Sequence, residues 1–165
     1  MPRDTDLHKA AYKGQVTAVQ TCLDDGLDVN TFGAANRTPL HRAVAANSVE
    51  VVKLLIEKGA TVDIQDKSER TPMHWAAVMD SIGCAKVLID HGADVNAASS
   101  TGSTPLHMAA DLGKIQFVMF VLENGADKEL QDNAGLTAFD LAKLNGHKDV
   151  AKVTSLRNDT GCCFG

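Results

Sequence analysis

The string Thr38-Pro39-Leu40-His41 returns as Thr71-Pro72-Met73-His74 and as Thr104-Pro105-Leu106-His107, 33 residues apart each time. Weaker copies stand one period to either side, at Thr5-Asp6-Leu7-His8 and Thr137-Ala138-Phe139-Asp140. Gly26, Gly59, Gly92 and Gly125 keep the same phase, as do Ala10, Ala43, Ala76, Ala109 and Ala142. Several columns locked to one period over most of 165 residues make this chain five tandem units. That period constrains the fold more than any local motif. A unit so small cannot bury its own apolar surface, so the units must stack on one another in a line.

The unit itself can be read from its chemistry. Thr caps a helix, and Pro at the first helical position loses only an N–H that would be unpaired there. The segment that follows is rich in Ala and makes a short inner helix that lets the next layer approach closely. Val49, Val51, Val52, Leu54, Leu55 and Ile56 then follow at near-helical spacing, which predicts a second helix with a broad apolar face. Gly59 ends it in a left-handed turn. The stretch from Ala60 to Arg70 reads as a turn-rich connection that projects sideways. With five Phe, one Tyr and one Trp, the chain has too few aromatics for an aromatic-rich β-sandwich, and its 44% hydrophobic content suits aliphatic helix packing.

Thr-Pro-Leu-His at this spacing, together with Gly92-Ala93-Asp94-Val95-Asn96, resembles the ankyrin repeat. The resemblance covers roughly residues 4–156. It implies an all-α repeat solenoid: a stack of helix-turn-helix units with projecting β-hairpin loops and a concave face that grips partner proteins. The expected units run about 5–37, 38–70, 71–103, 104–136 and 137–156, with 157–165 as a flexible tail. Gly33 and Ser99 depart from the Asp usual in the hairpin, and Asn47 and Asp80 replace the Gly usual between helices. Thr21, Lys143, Lys148, Thr154 and Ser155 fill columns that are apolar in the inner units, so both ends read as polar caps of a complete array. The family also implies that an Asn placed like Asn30 or Asn96 is open to hydroxylation, beside its plain role as a turn residue.

Other chemistries are poorly supported. A net charge of −5 argues against a nucleic-acid surface, which needs clustered positive charge. No apolar run reaches the roughly 20 residues of a membrane helix, and the N-terminus lacks a signal-peptide core. A cytoplasmic protein is expected, with a nuclear one as an alternative, and its four scattered Cys are expected to be reduced. Cys22 and Cys84 fall in second-helix columns and read as small buried hydrophobes. His8, His41, His74 and His107 form a column, but stacked helices lie about 8–10 Å apart. Zinc ligands each sit only about 2 Å from the ion, so neighbouring members cannot share one. A histidine bonded to backbone between units is the expectation. No nucleophile, base and orienting group converge; no enzyme, metal or cofactor is expected.

The register also locates the concave face. Inner-helix ends fall at Tyr12-Lys13, Ala45-Ala46, Val78-Met79, Asp111-Leu112 and Leu144-Asn145, and Arg42, Trp75 and Met108 share a further column. Arg37, Lys67 and Arg70 lie on the projecting loops. An aromatic and Met-rich centre with an Arg rim is typical of protein interfaces. Tyr12, Arg37, Arg42, Lys67, Arg70, Trp75, Val78, Met79, Met108, Asp111 and Leu112 are therefore the candidate contact residues. Their partner would be a protein segment with apolar anchors and acidic neighbours. For Trp75 and Met108, packing between units is an equal alternative. The chain reads as a monomeric adaptor, chaperone or stoichiometric inhibitor. Its length also resembles the small five-repeat cyclin-dependent-kinase inhibitors, but their second repeat is degenerate and Thr38-Pro39-Leu40-His41 is intact here. In the tail, Cys162 has the spacing of a prenylation box, and Cys162-Cys163 resembles the double-cysteine ends of Rab-type GTPases. Lipid modification there would make the chain a membrane-recruiting adaptor; otherwise the two are free thiols.

Overall fold

A computed structural model describes residues 3–155. The candidate lipidation sites Cys162 and Cys163 lie outside the described residues. Within them the chain forms ten α-helices in consecutive pairs. These are α1 (Asp6–Tyr12) with α2 (Val16–Asp24), and α3 (Pro39–Ala45) with α4 (Val49–Glu57). Next come α5 (Pro72–Met79) with α6 (Ile82–Asp90), and α7 (Pro105–Asp111) with α8 (Ile115–Glu123). The last pair is α9 (Ala138–Leu144) with α10 (Lys148–Ser155).

Odd-numbered helices pack on one another in an inner layer and even-numbered helices in an outer one, the inner layer more closely. The cause is side-chain size. Ala11, Ala43, Ala76, Ala77, Ala109, Ala110 and Ala142 are fully buried between inner helices, whereas Val52, Leu55, Leu88, Phe117 and Val121 fill the outer layer. Helices of seven to nine residues are marginal alone, so this packing sustains them. Between the helices of a pair, Asn47 (φ 54°) and Asp80 (φ 56°) adopt the same left-handed backbone as Gly14 and Gly113. Short polar side chains are the L-residues that tolerate this region best, so the substitution leaves the turn intact.

The connections between pairs project as hairpin-like fingers held by turns, and no strand occurs among the described residues. Each finger is closed by a bond from Gly33 to Arg37 (2.8 Å), Asp66 to Arg70 (2.9 Å), Ser99 to Ser103 (3.0 Å) or Asp132 to Leu136 (3.0 Å), and inside it a turn bond returns to the same residue from Asn36, Glu69, Gly102 or Gly135. Adjacent fingers share a single backbone bond at each junction, Lys67 to Ala35, Ser100 to Ser68 and Asn133 to Thr101, and at the last the Asn133 amide also donates to the Ser100 carbonyl at 3.1 Å. Too few bonds run in sequence to make a ladder.

The histidine column joins helices to fingers. His8, His41, His74 and His107 accept at Nδ1 from the backbone N–H of Thr5, Thr38, Thr71 and Thr104, at 3.1–3.2 Å. Each Nε2 donates to a carbonyl 29 residues on: Arg37, Arg70, Ser103 and Leu136, at 2.9–3.0 Å. These are the same carbonyls that close the fingers. The pattern requires the neutral Nε2–H tautomer, because Nδ1 must accept while Nε2 donates. In the fifth unit Asp140 takes the capping role: its carboxylate accepts from the Thr137 N–H (3.0 Å) and hydroxyl (2.8 Å). Those two bonds hold its pKa below the usual range. A carboxylate has no N–H to pass on, so the relay stops there.

The polar residues at the ends behave as the columns suggest. Thr21, Lys143, Lys148 and Ser155 are exposed. Thr154 is buried instead, but its hydroxyl donates to the Val150 carbonyl at 2.8 Å. Cys84 is fully buried and its thiol is pushed up to about 11 by desolvation, whereas Cys22 is only half-buried, so only Cys84 is a core hydrophobe. Of the outlying histidines, His91 caps its own helix by bonding the Val87 carbonyl. His147 immediately precedes α10 and bonds the carbonyl of Asp111 at the C-terminus of α7.

Burial pushes His41 down to about 4, against an ordinary value near 6.5, and lowers His8 and His74 in the same direction. The unfolded chain therefore binds these protons first as the solution is acidified. Stability from the relay is complete above about pH 6.5 and is lost as pH falls toward 4. In guanidinium chloride titrations the unfolding free energy should fall by about 1.5 kcal/mol or more between pH 6.5 and 5, before most carboxylates titrate. A flat profile over that interval would contradict the relay.

Asn30 accepts the Thr61 N–H at 2.9 Å and donates to the Gly59 carbonyl at 3.3 Å, and Asn96 repeats this with Asp127 and Gly125. Asp63 occupies the same register. It accepts the Asp94 N–H at 3.1 Å but, as a carboxylate, cannot donate to the Gly92 carbonyl, and burial raises its pKa. Asp63→Asn should stabilise the chain by about 1 kcal/mol at pH 7, read as a higher denaturation midpoint. The gain should shrink in acid, where a protonated Asp63 becomes a donor itself.

Candidate protein-binding face

The C-terminal ends of the inner helices and the inner sides of the fingers line one continuous face. Two of the depressions on it take in most of the candidate residues. The first, about 210 Å³, is lined by Tyr12, Arg37, His41, Arg42, Ala45, Trp75 and Met79. The second, about 280 Å³, is lined by Arg70, Val78, Thr101, Ser103, His107, Met108, Asp111, Leu112, Asp132 and Leu141. Ten of the eleven candidate residues therefore border these depressions, and Lys67 stands outside both as an exposed finger residue. Both volumes fall below the range of about 300–1,000 Å³ typical of small-molecule pockets. They suit single side chains of a partner rather than a cofactor.

The apolar members are open to solvent to an unusual degree. Tyr12 is 57% exposed, Met79 48% and Leu112 45%. Val78 is half-buried. Trp75 and Met108 are partly buried and pack against the core, so each serves the stack and the face together.

The charged members divide into two groups. Arg42 is tied to Asp4 by a 2.7 Å ion pair. Arg37 lies over the Trp75 ring, 4.2 Å from its centroid, with Nε 3.8 Å from Asp66 Oδ2. The Nε atoms of Arg37 and Arg42 are buried without a hydrogen-bond partner among the described residues. Arg70 and Lys67 make no ion pair among the described residues. So half of the expected Arg rim is already engaged within the chain.

Two acidic residues that organise this face do not stand out in the sequence as contact residues. Asp66 is bifunctional: Oδ1 accepts the N–H groups of Ser68 (2.8 Å) and Arg70 (3.1 Å), while Oδ2 accepts the Trp75 indole N–H at 3.1 Å. The first half of that role follows from the hairpin column; the second needs the nine-residue offset to Trp75 to be read in three dimensions. Asp4 fills the gap left by Gly33. Its Oδ1 accepts the Ala34 N–H at 2.9 Å, and a side chain at position 33 would collide with that carboxylate and with the His8 ring. Burial alone would raise the pKa of Asp4, but the Ala34 N–H and the Arg42 guanidinium outweigh it and hold it below the usual range. In the third finger Ser99, Thr101 and Ser103 replace the carboxylate with a chain of hydroxyls at 3.0 and 3.1 Å.

Among the described residues no group of three or more His, Cys, Asp or Glu is placed to hold a metal ion. What the face offers is non-covalent: apolar surface, one stacked aromatic and paired or open charges. The family model for ankyrin repeats (3 copies) matches residues 7–99, and the one for ankyrin repeats (many copies) matches residues 88–142. None of the curated proteins matches the chain.

Proposed function

The chain belongs to the ankyrin repeat family, and from that premise we propose that it is a non-catalytic binding module that captures a partner protein on its concave face. Ankyrin repeats are in general protein–protein interaction modules. The observation that supports the reading most is the exposure of Tyr12, Met79 and Leu112 along one face bordered by both depressions. Large apolar side chains held open at the rim of a rigid stack lower solubility unless something covers them. Because the inner helices are already fixed by the core, binding orders few additional groups, which favours affinity. An adaptor, chaperone or stoichiometric inhibitor acts in this way. No helix among the described residues is long and apolar enough to cross a membrane.

The test compares affinity capture by the wild-type chain with that of a Met79→Ala/Leu112→Ala double variant. Both side chains are about half exposed, so the melting temperature should move by no more than about 2 °C. Capture of the specific partner should be lost. Met119→Ala, on the exposed side of outer helix α8, serves as the control and should leave capture unchanged. Loss of stability in the double variant, or equal loss from Met119→Ala, would remove the concave face from this role.

A further inference from the structure

The two depressions look alike in register but differ in their electrostatics. In the first, each guanidinium has an internal carboxylate: Asp4 for Arg42 and Asp66 for Arg37. In the second, the residue that would face Arg70 as Asp66 faces Arg37 is Ser99, so Arg70 makes no ion pair among the described residues. At the other end of the same cavity stands Asp132. Its Oδ1 accepts the Ala134 and Leu136 N–H groups at 2.9 and 3.0 Å, as Asp66 does in its own finger. But the position that is Trp75 opposite Asp66 is Leu141 opposite Asp132, and no donor among the described residues reaches Oδ2. Asp111, exposed beside it, uses Oδ1 for the Asn145 amide at 2.7 Å. Between these charges lies an apolar floor of Val78, Met108, Leu112 and Leu141.

We propose that this second depression is a polarised peptide site, which takes an extended partner segment with an apolar side chain on the floor, an acidic side chain at Arg70 and a basic one at Asp132. The inference rests on the concave-face reading and adds to it the charge order and the spacing. Arg70 and Asp132 belong to fingers two units apart, about 16–20 Å at the usual spacing of packed helices. An extended chain advances about 3.3 Å per residue, so the two partner charges stand about five residues apart with the apolar anchor between them. The guanidinium charges of the first depression already face internal carboxylates and read no such pattern. Opposite charges at the two ends of a site also fix the direction in which a segment lies, since the reversed segment would set like charges together.

The test selects phage-displayed random 12-residue peptides against the wild-type chain and measures the enriched peptides against variants. Enriched sequences should place an acidic and a basic residue about five positions apart around a Leu-, Met- or Phe-sized residue. Leu112→Ala should weaken them at least tenfold. Arg70→Glu should do the same, and a peptide with Lys in place of its acidic residue should recover most of the loss on that variant. Asp132→Asn, which keeps the turn-holding Oδ1, should weaken binding without lowering the melting temperature. Peptides lost with Leu112→Ala but indifferent to Arg70→Glu and Asp132→Asn would overturn the polarised site while keeping the concave-face reading. Peptides insensitive to all three variants, or no enrichment, would overturn both. A dimer in sedimentation that Leu112→Ala dissolves would assign the floor to a second copy of the chain and overturn the peptide site.

Discussion

In each of the first four units one carbonyl oxygen receives two donors: the N–H that closes the finger and the Nε2–H of the histidine on the inner helix of that unit. Arg37, Arg70, Ser103 and Leu136 supply these oxygens. The residue after each is the Thr that caps the next inner helix. Three boundaries thus meet at one atom: the cap of one helix through Nδ1, the closed finger, and the start of the following helix. A buried imidazole with both nitrogens used has little freedom to rotate, and leaving either nitrogen unpaired would cost about 1–3 kcal/mol. The relay converts a pile of short, individually marginal helices into a single cooperative line.

The proposed binding face inherits that rigidity. Arg37 and Arg70 are both finger residues whose own carbonyls are held by the relay, so their side chains start from fixed backbone. Asp66 then locks Trp75 from the finger side, and Arg37 covers the ring. Both arginines of that region, Arg37 and Arg42, already face a carboxylate of the chain itself. Further along, Ser99 and Leu141 stand where Asp66 and Trp75 stand one or two units earlier, and charge is left open. Two substitutions are enough to leave a charge unpaired where its counterpart in another unit is held, and the proposed site rests on that difference.

Much of this was legible in the residues. The 33-residue period sets the helix pairs, and the Thr-Pro-Leu-His string sets the inner-helix starts at Pro39, Pro72 and Pro105. The phase of Tyr12, Met79 and Leu112 was enough to place them outward, because register on a stacked helix decides facing. The histidine column's structural role also followed from spacing alone. What the sequence concealed were interactions that leave the period. Asp4 reaches 30 residues ahead to Ala34 and repairs the finger that Gly33 weakens, which no column comparison reveals. The engagement of Arg37 and Arg42 depends on acidic residues from other units, so the rim looked freer than it is. The fingers carry hairpin-like turns without strands because their bonds stay within the turn and only one backbone bond joins each finger to the next, a pattern that sequence does not give.

The most direct measurement of the relay is the protonation and tautomer of the four histidines, read by long-range proton–nitrogen correlation in solution near pH 7. The account requires His8, His41, His74 and His107 to be neutral, with the proton on Nε2 and slow to exchange. Imidazolium signals, an Nδ1–H tautomer or rapid exchange at His41 and His74 would contradict it, and the rigidity assigned to the concave face would lose its basis.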